Sequence, residues 1–207
     1  MQIWSHIKLW IIVSIFSIFF VMATAKPESV YESVQHDLKK LERVFGKDST
    51  KNLVDRTNSI FNFFFERNLK TVHDEMRVEN ESPRVFRWEG DLVKESNTML
   101  KSAKLEVYNI ILRFNIMMMW LPFIVLFAGV AIFDGFMMRK VKIASFKYTN
   151  PVLYNTFMHG AVFIAGSFMF LMHLPIVMSV WFFPLAGILL GFFLMFGIMN
   201  LQRMGTD

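Results

Sequence analysis

Residues Phe114–Lys147 read FNIMMMWLPFIVLFAGVAIFDGFMMRKVKIASFK, and Phe114 to Phe133 carry no charge. Asn115 is the one strongly polar member of that run. At ~1.5 Å per residue, a helix of this length crosses the ~30 Å hydrocarbon layer of a bilayer. The run ends at Asp134-Gly135 and is followed by Arg139, Lys140, Lys142 and Lys147. Short connections rich in Lys and Arg stay on the cytoplasmic side. This one stretch therefore predicts a span and its direction.

Working outward, Tyr154–Leu174 and Val177–Leu201 are two more apolar runs. Only Pro175-Ile176 separates them, which predicts an antiparallel hairpin. Upstream, Leu9–Ala25 follows a weakly basic start and has Trp4 and Trp10 as interfacial anchors. Ala23-Thr24-Ala25 before Lys26 also fits a signal-peptidase site, so this segment reads either as an uncleaved anchor or as a cleaved signal. Alternation then puts both termini in the cytoplasm, with Lys8 and Arg203 in agreement, and residues 26–113 and the 175 turn on the other side. The expected fold class is all-α, a polytopic membrane protein of four transmembrane helices with a helical extracytoplasmic insert between the first and second. The expected domains are an N-terminal anchor (1–25), the insert (26–113) and a three-helix membrane domain (114–207) whose basic loop covers 134–151.

Within the insert, Pro27-Glu28-Ser29 reads as a helix start. Val30, Val34, Leu38, Leu41, Val44 and Phe45 recur at three- and four-residue spacing, predicting an amphipathic helix that ends near Gly46. Asp48-Ser49-Thr50 caps a second helix, bearing Leu53, Val54, Ile60, Phe61, Phe64 and Phe65 and fading after Glu75. Residues 76–90, with Ser82-Pro83, read as a loop. A third helix from Asp91 continues into the span at Phe114. The run Phe61–Phe65 is too wide for one buried face, so it serves either the helical core or a docking surface.

The net charge of +5 is distributed unevenly. Lys26 to Glu106 holds 15 basic and 15 acidic residues, and the excess lies in seven basic residues against two acids beside the spans. That pattern threads helices through a membrane and forms no basic face for nucleic acid, so direct DNA binding is not expected. The absence of cysteine excludes disulfides and thiol chemistry. No phosphate loop, catalytic triad or His-Glu-x-x-His spacing occurs, and no cofactor or metal is expected. His159 and His173, fourteen positions apart in the third span, are ~21 Å apart along one helix and cannot share a metal there.

Asp134 and Gly135, with Arg139, Lys140 and Lys142, are candidate partner contacts at the cytoplasmic end of the second span. Gly187 and Gly191 form a GxxxG segment, and Ala161 and Ala165 a small-xxx-small segment. These predict close helix packing, within the hairpin and against the second span or between copies. Pro122 and Pro184 are tolerated within spans.

Leu121-Pro122-Phe123, then Phe133-Asp134-Gly135 with Arg139, together with Leu174-Pro175 and Pro184, resemble a family of membrane proteins of integrating conjugative elements and conjugative plasmids, classed by a domain of unknown function. The loop departs from the family pattern and reads Phe146-Lys147-Tyr148-Thr149-Asn150-Pro151. The resemblance implies a non-enzymatic accessory or scaffold of a conjugative DNA-transfer, or type IV secretion, system. It implies a bacterial inner-membrane location with the insert in the periplasm. The implied partners are the lipid bilayer and other conjugation membrane proteins such as the coupling ATPase; oligomeric state is left open. The alternative is a membrane sensor or regulator whose insert binds a ligand. A third reading is an intramembrane enzyme built on Asp134 and His159.

Overall fold

The computed structural model describes residues 3–68 and 87–201, with side chains described at 4–64 and 99–201. The described residues form five helices: α1 (Ile3–Thr24), α2 (Pro27–Asn68), α3 (Arg87–Ala144), α4 (Pro151–Met172) and α5 (Phe182–Met199). Four segments are long and apolar enough to cross a membrane: Trp4–Thr24, Met99–Ala144, Pro151–Met172 and Phe182–Met199. Between 11% and 28% of each apolar window is buried within the chain, so most of that surface needs lipid as its solvent.

Three boundaries differ from the sequence expectation. α3 is already helical at Arg87, where a loop to residue 90 is expected, and it does not stop at Asp134-Gly135 but continues to Ala144. The non-helical loop therefore shrinks from 134–151 to its last few residues. The hairpin turn is longer than Pro175-Ile176, because α4 ends at Met172 and α5 begins only at Phe182. Ser82-Pro83 and Arg203 lie outside the described residues, as does the fading of the second insert helix near Glu75.

The chain divides into two compact units. The span unit comprises Met1–Ile15, Met117–Leu171 and Trp181–Asp207; the insert unit comprises Phe16–Ile116 and Met172–Val180.

In the span unit, contact registers give helix directions. Gly135 meets Met195 and Ile198, Gly187 meets Ile124, and Gly191 meets Phe127 and Ala131. The sequence offset stays nearly constant, so α3 and α5 run parallel. Gly197 meets Met158, Gly160 meets Phe193, and Phe168 stacks near Phe183. Here the sum of positions stays constant, so α4 and α5 run antiparallel. His6–His159 and Trp10–Phe163 place α1 parallel to α4. These directions alternate in chain order, as four successive crossings would require. Trp120 and Trp181 meet at one end, with ring centroids 5.6 Å apart. Arg139 and Lys142 reach the C-terminal end of α5 at the other. From Trp120 to Arg139 is ~28 Å of helix, one hydrocarbon thickness.

In the insert unit, α2 contains Gly46 at φ 80 and ψ 169, which splits the helix into arms 27–45 and 47–68. Contacts with α3 rise along the first arm, from Ala25–Ser102 to Asp37–Arg113. They fall along the second, from Thr57–Asn115 to Phe61–Tyr108. The arms thus run in opposite directions along α3, and Gly46 supplies the left-handed backbone that the reversal needs. Val30, Val34, Leu41, Leu53, Leu112 and Ile116 form the apolar part of the core.

Candidate functional site

The insert unit buries a polar cluster around Arg113, whose side chain is completely inaccessible. Three turns of one stripe position it: Ser102, Glu106, Asn109 and Arg113 follow one another at helical spacing on α3, and all are buried. Facing it, Ser33 and Asp37 lie on the buried stripe of α2 between Val30 and Leu41. Arg113 donates from Nε and Nη2 to Asp37 Oδ2, each at 3.0 Å. Nη2 also donates to Ser33 Oγ at 2.9 Å and to the Ile176 carbonyl. Nη1 donates to the carbonyls of Leu174 at 2.6 Å and Met172 at 3.4 Å.

The turn after α4 is held from both sides. Ser33 Oγ donates to Ile176 O, the Met178 amide donates to Asp37 Oδ1 at 2.9 Å, and Lys40 Nζ reaches Met178 O at 3.5 Å. Side chains of α2 and α3 therefore replace the helical ladder for residues 172–178. A planar guanidinium with fixed donors suits this task, since it serves a carboxylate and several carbonyls at once. Burial pushes the Asp37 carboxyl above its ordinary range, and the Arg113 guanidinium and the Met178 amide pull it back.

Glu106 and Asn109 lie beside this pair. Both are fully buried, and none of their side-chain polar atoms meets a well-aligned hydrogen-bond partner among the described residues. Arg113 thus lies near two buried acids and is bonded to one of them.

The sequence-predicted site residues fall elsewhere, in the span unit. Gly135 is buried: a methyl group built on it would lie 2.8 Å from the Met195 carbonyl oxygen. Arg139 Nε donates to Leu201 O, and Lys142 Nζ to the buried Asn200 Oδ1, each at 3.0 Å. These two cations close the C-terminal end of α5, where carbonyls lack helical partners. Asp134 and Lys140 are exposed. Gly187 and Gly191 pack on α3, where an added methyl would come within 2.7 Å of Ile124 and 2.8 Å of Phe127. Ala161 is buried but Ala165 is exposed, and the close approaches on α4 come instead at Gly160 and Gly166.

The chain is matched over residues 23–203 by the family model described as IncC plasmid conjugative DNA transfer protein DtrJ-like. The chain belongs to the DtrJ-like family. The matched residues of the DtrJ-like domain include every member of the Arg113 cluster and the Gly135–Lys142 segment, and leave out most of α1. No curated protein and no solved structure matches the chain.

His159 and Asp134 do not meet: the His159 ring packs edge-on against His6 at 4.7 Å, and no hydrogen bond or ion pair joins it to Asp134. His173 is buried in the insert unit. Among the described residues no three His, Cys, Asp or Glu form a group able to hold a metal.

The Arg113 cluster was partly legible in the sequence. Asp37 interrupts an otherwise apolar stripe, and Glu106, Asn109 and Arg113 share one helix face. Their pairing was not, because Asp37 is 76 positions upstream and the carbonyls are 59 to 63 downstream.

Proposed function

We propose that this DtrJ-like protein is an accessory scaffold in the inner membrane of a conjugative DNA-transfer system. In this reading residues 26–113 face the periplasm, both termini and the basic loop face the cytoplasm, and the protein has no catalytic role. The observation that carries the proposal is the Arg113 cluster. It locks the two arms of the insert and the α4–α5 turn into one compact unit. Such a unit is a rigid mount for an envelope component. In the span unit, Asp134 and Lys140 are exposed charges available to a membrane partner such as the coupling ATPase, while Arg139 and Lys142 also bond the end of α5.

Exchanging these two charges, Asp134→Lys and Lys140→Glu, tests the contact. Transfer frequency should fall while the amount of protein in the membrane stays constant, and crosslinks from this segment to a transfer component should disappear. Unchanged transfer removes the contact from the proposal.

A sensor or regulator whose insert binds a ligand is the second reading. A depression of about 350 Å³ at the α2 bend, lined by Lys39, Glu42, Arg43, Gly46 and Lys47, is a place where a small ligand could bind.

A further inference from the structure

The end of α3 carries two exposed aromatic rings that the scaffold role does not use. The Lys147 amide donates to the Lys142 carbonyl at 2.9 Å, and the Phe146 amide donates to the Ile143 carbonyl at 3.2 Å. This is the Schellman closure, whose turning residue adopts left-handed backbone and is usually glycine, because a Cβ is unfavourable there. The residue here is Phe146, at φ 51. Its ring is 99% exposed, and Tyr148 two residues on is 77% exposed. Lys140 and Lys147 are exposed around them, and the chain has no Asp or Glu between Asp134 and Asp207. A large aromatic ring in a strained position, touching nothing in its own chain, contributes nothing to folding there. Strain of this kind persists where another role requires the side chain.

We propose that Phe146 and Tyr148, with Lys140 and Lys147, form an anchor for anionic phospholipid. The two rings seat at the level of the headgroups, and the ammonium groups engage lipid phosphates. Geometry and charge both support lipid as the occupant. The apolar layer of the span unit ends near Arg139 and Lys142, and Ala144 lies only ~8 Å further along α3. The headgroup zone on each face is about 5–8 Å deep. The connection is tethered by α3 on one side and by α4 on the other, so its rings are held at headgroup depth. Aromatic residues favour that depth, and uncompensated lysines favour an anionic surface.

The chain has no cysteine, so Phe146→Cys or Tyr148→Cys accepts a single environment-sensitive fluorophore in the full-length protein. In vesicles of phosphatidylethanolamine and phosphatidylglycerol, the label should be shielded from aqueous iodide. It should lose most of its emission to lipids carrying a nitroxide near the headgroup. Quenching should weaken in phosphatidylcholine vesicles, and Lys140→Ala with Lys147→Ala should abolish the difference between the two lipids. A label open to iodide and untouched by the nitroxides overturns the proposal. A label shielded from both also overturns it. Phe146→Gly supplies a second reading. It should raise the unfolding midpoint in neutral detergent, because the turn relaxes, and should remove the extra midpoint gained on adding anionic lipid. A variant that keeps the whole lipid gain sinks the anchor.

Discussion

The two units are built by different physics. In the span unit, helices meet through missing side chains: Gly135, Gly187 and Gly191 let α3 and α5 approach, and Gly160 and Gly166 admit Phe193 and Trp10. In the insert unit, helices meet through a guanidinium, a carboxylate and a row of backbone carbonyls. The contrast follows from the solvent. Lipid gives no hydrophobic reward for bringing two apolar helices together, so close packing must hold them. A unit whose polar groups must otherwise compete with water can be given a unique arrangement by charge, at a desolvation cost that the full set of hydrogen bonds offsets.

Substitutions can break or sharpen that contrast. The largest effect is expected at Arg113. Arg113→Leu removes the guanidinium donor from Asp37 Oδ2 and from three carbonyls, and should destabilise the insert unit by about 3–5 kcal/mol. Limited proteolysis of the insert in membranes reads this directly. The double variant Arg113→Leu, Asp37→Leu should recover part of the loss. If it is as unstable as the sum of the singles, the pair is not the organising interaction.

Next comes the span unit. Gly135→Val pushes a branched side chain against the Met195 carbonyl, and Gly187→Leu pushes one against Ile124. Each should cost about 1–3 kcal/mol, read as a lower thermal midpoint in detergent. The insert should keep its proteolytic pattern in both. If these variants loosen the insert as much as Arg113→Leu does, the division into two differently built units fails.

A smaller effect of opposite sign is expected at Glu106. Its buried carboxyl lacks a well-aligned partner, so Glu106→Gln removes a potential charge and should be neutral or stabilising by about 1 kcal/mol. A marked loss in chemical unfolding would instead reveal Glu106 as a working member of the cluster. Lys140→Ala is expected to change stability by no more than about 0.5 kcal/mol, because the residue is exposed and makes no internal bond.

The sequence revealed the apolar runs, the insert between them and the continuation of one insert helix into a span. Composition and period carry those features, and both are local. It misplaced the hairpin turn, because Val177, Met178, Val180 and Trp181 are apolar enough to extend a span. Their backbone is not helical where Asp37 takes the Met178 amide and Arg113 takes the nearby carbonyls. It also ended the second span at Asp134-Gly135, where glycine allowed either a helix end or a close helix approach. The close approach, to Met195, is the one present, and α3 continues to Ala144. Of the basic residues expected to meet a partner, Arg139 and Lys142 also bond the C-terminal end of α5, which the sequence did not reveal. Nothing in a one-dimensional charge count separates a cation that caps a helix from one that waits for a ligand.

The bonds from Arg113 to Met172, Leu174 and Ile176 also set an order of events during synthesis. The guanidinium leaves the ribosome about sixty residues before the carbonyls that it holds, so the first half of the molecule waits for the second. A chain truncated before the α4–α5 turn would present a buried cation with too few acceptors. The finished turn is thus what supplies the guanidinium with its full set of acceptors.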